Sequence, residues 1–558
     1  MVTCIITGSN DNYLVNYTLR ILIELQVRQI IVVTNKPCLP CIRQEYEPFQ
    51  VRFSYEEFQN KNEALLFAFQ FVKSGRILFL ESGAIPTKKS VEIHCNAGKR
   101  QVICGLYTRV YDFESNFEHT PLLSQTCRVD DVRLRHHNLQ ETGWMMYAVN
   151  NSSVDADGIH LINGFDASFC VDGVTENADF AYALHGLGYE FILSKEAQYD
   201  TYIKLEQLQQ KPAKLKTLYL WFTDHCNYHC RMCRIGQRAY RAAAYQEPSL
   251  ETIKRIIVNA SKAGISKLEL YGGEMLMRRD LSSVIEYANL YRIETGFVTN
   301  GSLITEELSE RFYQLGVKDI PVSLDASVPE LNDWVRGRGA WKKTMDGIRH
   351  LKNHNNTFSL FTVVMQQNFH AMSDMVRLAK ELGAESVSFQ PISSRQGGTI
   401  YKELALKYSD VPKLKKEILR AFELSERLHL PIRSRQMVRT IPEYILRDEQ
   451  LILQKGCTLP MSEALITKTN KLQLCFTPYG PKDIYCKTDG LDIALIWGSS
   501  SYQQLQKLAL TGQCPGCLAN CSDLDYLFSH DPTPLGSQRK EWNNRLDFDD
   551  FLLVDAGK

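Results

Sequence analysis

Cys226, Cys230 and Cys233 stand at C-x3-C-x2-C spacing in one short run of the chain. Thiolates so spaced can hold three irons of a [4Fe–4S] cube and leave the fourth iron without a protein ligand. A small molecule can then bind that iron, which turns an electron carrier into a chemical site. Zinc is the competing reading, because a tetrahedral thiolate site needs only one further ligand. His225 and His229 lie beside the first two cysteines and could supply it. A second group, Cys457, Cys475, Cys486, Cys514, Cys517 and Cys521, lies far downstream. Two distant cysteines followed by Cys514-Pro-Gly-Cys517 offer four soft ligands to zinc or to another iron–sulfur cube. Nine of the 16 cysteines fall in these two groups, a clustering that metal ligation explains better than disulfides.

The elements around the first group alternate between short β-rich runs and amphipathic helices. Residues 217–222, 267–271, 295–299, 320–324, 358–364 and 386–390 read as strands. Pro248-Ser249 opens a helix with Ile253, Ile256, Ile257 and Ala260 on one face. Repeated strand–helix units predict an α/β fold with a partial parallel (β/α)6 barrel over 214–445. Such barrels carry their functional loops at the C-terminal ends of the strands.

Unusual residues gather at those ends. Tyr271-Gly272-Gly273-Glu274 follows the second strand, where two glycines let the backbone approach a ligand and Glu274 adds a negative charge suited to an ammonium. Thr299-Asn300-Gly301 follows the third. Val322-Ser323-Leu324-Asp325 ends the fourth with a hydroxyl and a carboxylate suited to ribose. Arg336 comes next, and a guanidinium suits a carboxylate. Singly, each motif reads as a turn or a cap. Together, at successive strand ends, they point to one site.

With these motifs in this order, residues 214–395 resemble the radical SAM superfamily. The resemblance implies that the free iron chelates S-adenosylmethionine, whose reductive cleavage gives a 5′-deoxyadenosyl radical that abstracts a substrate hydrogen. By motif position, Gly272, Gly273 and Glu274 would contact the methionine amine. Asn300, Ser323 and Asp325 would lie near ribose or methionine, and Arg336 near the carboxylate. An electron donor such as flavodoxin or ferredoxin is implied as well. Residues 446–530 resemble the twitch and SPASM extensions that hold auxiliary [4Fe–4S] clusters. That likeness implies one auxiliary cube on Cys457, Cys475, Cys514 and Cys517, with Cys521 as the substitute ligand and Cys486 a buried thiol. The full SPASM run, C-x2-C-x5-C-x3-C, is shortened here to Cys514-x2-Cys517-x3-Cys521, which leaves the ligands of a second auxiliary cube in doubt.

Residues 1–205 alternate strand and helix as a separate α/β domain and resemble family 2 glycosyltransferases. The likeness rests on Ile77-Leu-Phe-Leu-Glu81-Ser82-Gly83, on the run from Ile162 to Phe169, and on Glu176-Asn177-Ala-Asp179. Two of these motifs depart from that family, as does Val33-Thr34-Asn35, which ends the strand that there usually presents a nucleotide-binding Asp. Glu81-Ser82-Gly83 lacks the second carboxylate of Asp-x-Asp and with it much of the grip on a divalent cation. Asn177 stands where an acidic residue would serve as base, and a carboxamide takes no proton. The domain is therefore expected to be non-catalytic, and 531–558 to be a linker and tail.

Lys+Arg and Asp+Glu balance at 64 each in 558 residues, so no global field draws the chain to nucleic acid. No apolar run is long enough for a membrane span, and no secretory signal is read at the N-terminus. A reducing, cytoplasmic location is expected. The expected function is hydrogen abstraction from a sugar or glycan, suggested by the N-terminal likeness. A maturase acting on a ribosomally made peptide or protein is the rival, and a zinc-binding glycosyltransferase the second.

Overall fold

Apolar, β-branched runs begin the chain, and in the computed structural model they become parallel strands buried on both faces. The structure describes residues 2–7, 12–34, 40–55, 58, 61–112, 126–129, 144, 147, 151–166, 178–204, 215–233, 247–392, 401–433, 435–447, 461–466, 471–473, 486–487 and 493–498. Strands β1 (Val2–Thr7), β2 (Gln29–Thr34), β3 (Val51–Tyr55) and β4 (Arg76–Glu81) lie parallel in the order β3-β2-β1-β4. Side chains alternate between two cores, as strand geometry requires. Cys4, Ile6, Ile30 and Val32 meet helix Asn12–Glu24, while Ile5, Ile31 and Val33 meet helix Lys61–Phe69. The second helix ends where the chain turns through Phe71 and Val72 to Gly75, which sits at φ +95°. Beyond β4 the sheet becomes mixed. It continues through β5 (Ala84–Pro86), β6 (Gln101–Asp112), β7 (Thr126–Val129), β8 (Ser152–Asp155) and β9 (Glu190–Lys204) in the order β4-β8-β6-β9-β5, with β7 paired to β6.

The second sheet forms the curled half-barrel. Its strands are β10 (Thr217–Thr223), β11 (Lys267–Gly272), β12 (Glu294–Phe297), β13 (Ile320–Ser323), β14 (Phe358–Val364) and β15 (Val387–Pro391), within a residue or two of the expected bounds. All neighbours are parallel. A single parallel bridge between Thr299 and Val322 joins β12 to β13, with Thr299 N–H donating to Pro321 O and Ser323 N–H to Thr299 O. One face of β10, Leu218, Leu220 and Phe222, packs outward in the core shared with helix Leu250–Lys262. Ser249 caps that helix, its hydroxyl accepting from Thr252 N–H, and Ile253, Ile256, Ile257 and Ala260 all point inward. Full burial of each isoleucine is worth about 1.5–3 kcal/mol. The other face of β10, with Tyr219 and Trp221, lines the concave side and is only half-buried.

Two additions extend the curl. Strand β16 (Ile432–Arg433) pairs parallel with β15, and β17 (Glu463–Ile466) pairs parallel with β10. Strands β18 (Lys471–Gln473) and β19 (Cys486–Lys487) follow antiparallel, so the chain after 446 begins as part of the barrel sheet. Cys457, Cys475, Cys514, Cys517 and Cys521 lie outside the described residues, as do Glu176, Asn177 and the tail.

The N-terminal sheet and the half-barrel are joined through helix Val411–Arg427. Lys415 Nζ reaches Asp166 Oδ2 at 2.8 Å and Asp179 Oδ2 at 2.7 Å, and Trp144 meets Tyr408 edge-on at 5.6 Å. Among the described residues no helix is long and apolar enough to cross a membrane.

Candidate metal centre

The three cysteines occupy the loop that leaves β10 at its C-terminal end. Thr223, fully buried, starts the turn: its hydroxyl donates to Glu247 and accepts from His225 N–H at 3.0 Å. Arg278 clips the same turn from beneath, donating to Phe222 O at 3.1 Å and Pro248 O at 2.9 Å while Asp280 holds its other nitrogens. Farther along, Arg231 N–H donates to Val335 O, its Nε donates to Trp334 O at 2.8 Å, and its guanidinium lies 4.6 Å over the Trp334 ring. Cys230 packs among Tyr228, Met232, Val335, Ala340, Met365, Ile392 and Leu404, with Cys226 and Cys233 at the edge of that cluster.

The Gly-Gly-Glu run is fitted to this loop through its backbone. Gly273 N–H donates to Thr223 O at 2.7 Å and Glu274 N–H to His225 O at 2.8 Å. A Cβ on Gly272 would lie 2.0 Å from Thr223 O, and one on Gly273 would lie 2.2 Å from His225 O. Gly272 also needs the left-handed region, at φ +141°. These glycines allow close approach of two strand-end loops to one another.

Glu274 is 2% exposed and equally committed. Its Oε1 accepts from Thr299 Oγ1 at 2.7 Å and Leu276 N–H at 3.2 Å, and its Oε2 accepts from Asn300 N–H at 2.7 Å. Burial raises its pKa, and these hydrogen bonds and Arg336 work against that rise. Asn300 Nδ2 in turn donates to Asn227 Oδ1 at 2.9 Å inside the cysteine loop, and Asn300 Oδ1 accepts from Ser302. The ends of β10, β11 and β12 are thus tied by one polar chain, Asn227–Asn300–Glu274.

Asp325 and Arg336 form a buried ion pair, Nε to Oδ2 at 2.8 Å, with 0% and 6% of their side chains exposed. The charge of Arg336 bears on all three cysteines. Ser323, the last residue of β13, is half-buried on the concave face beside the Thr299 bridge. Every sequence-predicted residue of the first site therefore converges on one end of the half-barrel. Asn227, Tyr228, Thr223, Glu247 and Arg278 escaped the sequence reading. Asn227 and Tyr228 at least lie between the first two cysteines.

Burial pushes the Cys226 thiol up to about 11 and the Cys230 thiol to about 12. Neither would ionise there without a positive charge, and metal ligation provides one. The His225 side chain is 71% exposed and turns toward Glu247, 3.8 Å away. The donor set fits a cube held by three cysteines.

Comparison with known proteins follows this geometry. The family model described as Radical SAM superfamily matches residues 221–379. The AdoMet-dependent heme synthase of Methanosarcina barkeri is 32% identical over 169 residues, 30% of this chain and 48% of its own. The GTP 3′,8-cyclase of Syntrophomonas wolfei is 31% identical over 191 residues, 33% of this chain and 58% of its own. The mycofactocin maturase of Mycolicibacterium smegmatis is 28% identical over 185 residues, 33% and 46% of the two chains. This chain thus spans about half the length of the curated relatives it matches. Among solved structures, SuiB of Streptococcus suis aligns at 14% identity and a TM-score of 0.44, over 58% of this chain and 78% of that one. Residues 221–379 carry a radical SAM superfamily enzyme domain.

Proposed function

We propose that this protein cleaves S-adenosylmethionine reductively at a [4Fe–4S] cluster held by Cys226, Cys230 and Cys233 and abstracts a hydrogen from a substrate on the concave face of the half-barrel. The observation that carries this reading is the cysteine loop itself, seated at the C-terminal mouth of the sheet and locked by Gly272, Gly273 and Glu274. When bound, the cluster and S-adenosylmethionine supply the electron and the hydrogen-abstracting radical. The chain's own groups bind and orient. Arg336 offers a guanidinium to the methionine carboxylate, Ser323 offers a hydroxyl to ribose, and Asn300 braces the loop beside them. Glu274, already bracing two loops, would share its carboxylate with the methionine amine. The apolar packing around Cys230 keeps water from the ligands.

For the substrate we favour a peptide or protein segment over the sugar expected from the N-terminal likeness. Fold alone says little about substrate, and relatives named for heme, GTP and mycofactocin chemistry share this domain. A maturase among them supports the peptide reading. Two carboxylates of the glycosyltransferase-like motifs, Asp166 and Asp179, are engaged by Lys415, which argues against a metal-dependent sugar transfer there. In this reading the N-terminal domain is a docking platform fixed to the barrel, and an auxiliary cluster on the downstream cysteines accepts an electron or binds substrate.

Anaerobic reconstitution of the full chain should give a brown, iron-loaded protein that forms 5′-deoxyadenosine with dithionite and S-adenosylmethionine. Cys230→Ala should abolish the product while the auxiliary cluster remains. Iron-loaded protein that yields no 5′-deoxyadenosine under any reducing condition would sink the assignment. Binding of a nucleotide sugar, rather than a peptide, to the full chain would restore the sugar substrate.

A further inference from the structure

We infer that Asp325 is a positioning residue: it fastens the Arg336 guanidinium beside the cysteine loop and offsets its charge, so that the pair jointly sets the reduction potential of the cluster. This rests on the reading of Cys226, Cys230 and Cys233 as cluster ligands. The sequence suggested ribose for Asp325, but its carboxylate is fully buried and faces Arg336. Oδ1 accepts from Val363 N–H at 2.9 Å, and Oδ2 lies 2.8 Å from Arg336 Nε. Its backbone N–H donates to Asn332 Oδ1 at 3.1 Å, and its carbonyl accepts from Asn368 Nδ2 at 2.8 Å. Asn368 also grips Val363 O and Met365 N–H. The carboxylate is therefore anchored to the end of β14 and to helix Pro329–Arg336, the helix that carries its partner.

Arg336 is fixed just as firmly. It closes that helix, and Gly337, at φ +117°, turns the chain away immediately after it. Asp333 on the same helix accepts from the N–H groups of Gly339 and Trp341 and holds the turn in place. The guanidinium cannot reach solvent to relax, and Asp325 takes its Nε. Both charges bear on Cys230 with opposite sign. A cluster gains negative charge on reduction, so a nearby cation favours the reduced form and a nearby anion opposes it. With little water between, such an effect survives screening.

The test is an EPR-monitored potentiometric titration of the anaerobically reconstituted full chain. The cluster signal is identified by its absence in Cys230→Ala. Asp325→Asn should move the potential to less negative values, since Arg336 then acts unopposed. Arg336→Gln should move it to more negative values, and the double variant should return close to the parent. We expect each single shift to be on the order of tenfold in the reduction equilibrium, about 59 mV for one electron. A purely structural role would leave the potential unmoved or shift both single variants the same way, and either result overturns the inference. If Arg336→Gln does not fold, having left a buried carboxylate unpaired, Asp325→Asn and the double variant still decide it. If the parent protein shows no signal that Cys230→Ala removes, the cysteine reading fails instead.

Discussion

Replacing Lys415 by methionine removes a cation that Asp166 and Asp179 share across the junction between the N-terminal sheet and the half-barrel. Methionine retains an apolar stem of similar length, so the change is chiefly one of charge. Breaking a fully buried pair by deleting one partner costs about 3–5 kcal/mol, because the charge left behind has no counterion. Here the Lys415 side chain is 15% exposed, Asp179 21% and Asp166 36%. Water can reach both carboxylates, which lowers the expected loss to about 2–3 kcal/mol. Urea unfolding of the full chain, followed by circular dichroism, should show the midpoint falling with an unchanged slope. Neutralising all three, with Asp166→Asn, Asp179→Asn and Lys415→Met, should recover most of the loss, since no charge is then stranded. The pH dependence adds a second check. Burial lowers the Lys415 pKa, but the two aspartates outweigh it and hold the group above its ordinary range. A lysine raised on folding contributes fully below its unfolded value, about pH 10.4, and loses that contribution only as pH rises through the folded one. The gap between parent and Lys415→Met should therefore be constant from pH 7 to 9. A loss below 0.5 kcal/mol, or a gap that closes within that range, would refute the reasoning, roughly the scatter of ordinary surface substitutions.

Gly273→Ala should cut the iron bound per chain several-fold with little change in far-UV circular dichroism. Its Cβ would lie 2.2 Å from His225 O, so the cysteine loop must move, whereas Gly186→Ala meets nothing within 4 Å and should be neutral. His94, fully buried between Ser153 Oγ and Asn151 Oδ1 at 3.0 Å each, has its pKa lowered to about 4 by burial. Its contribution is present above the unfolded value near 6.5 and drains away as pH falls toward 4, up to about 3 kcal/mol in all. Unfolding midpoints measured between pH 4 and 7 should therefore slope downward on acidification in the parent, and much less in His94→Gln.

Much of this architecture was legible from periodicity. Strand 358–364 was read to the residue, and helix Leu250–Lys262 keeps its cap at Ser249 and its inward face of Ile253, Ile256, Ile257 and Ala260. Local patterns suffice there because each element buries its own apolar face. The roles of polar residues were less legible. Ser-Leu-Asp at a strand end looks equally ready for a ribose or for a counterion, and only the return of helix Pro329–Arg336 beneath β14 decided that Asp325 faces Arg336. The two glycines show the same limit, since a ligand and a neighbouring loop both require an absent Cβ.

Thiol type and spacing, and the alternation of strand and helix, are properties of nearest neighbours along the chain. They alone determined that three cysteines would sit together on a loop after a buried strand, in a partial parallel α/β barrel. The tertiary structure decided which charges neutralise one another: Arg336 with Asp325 at the mouth of the barrel, and Lys415 with Asp166 and Asp179 across the junction. The Lys415 contacts join residues 249 and 236 positions apart, and no local rule encodes such pairing. It follows from packing, which brings both partners together and draws them from water at once.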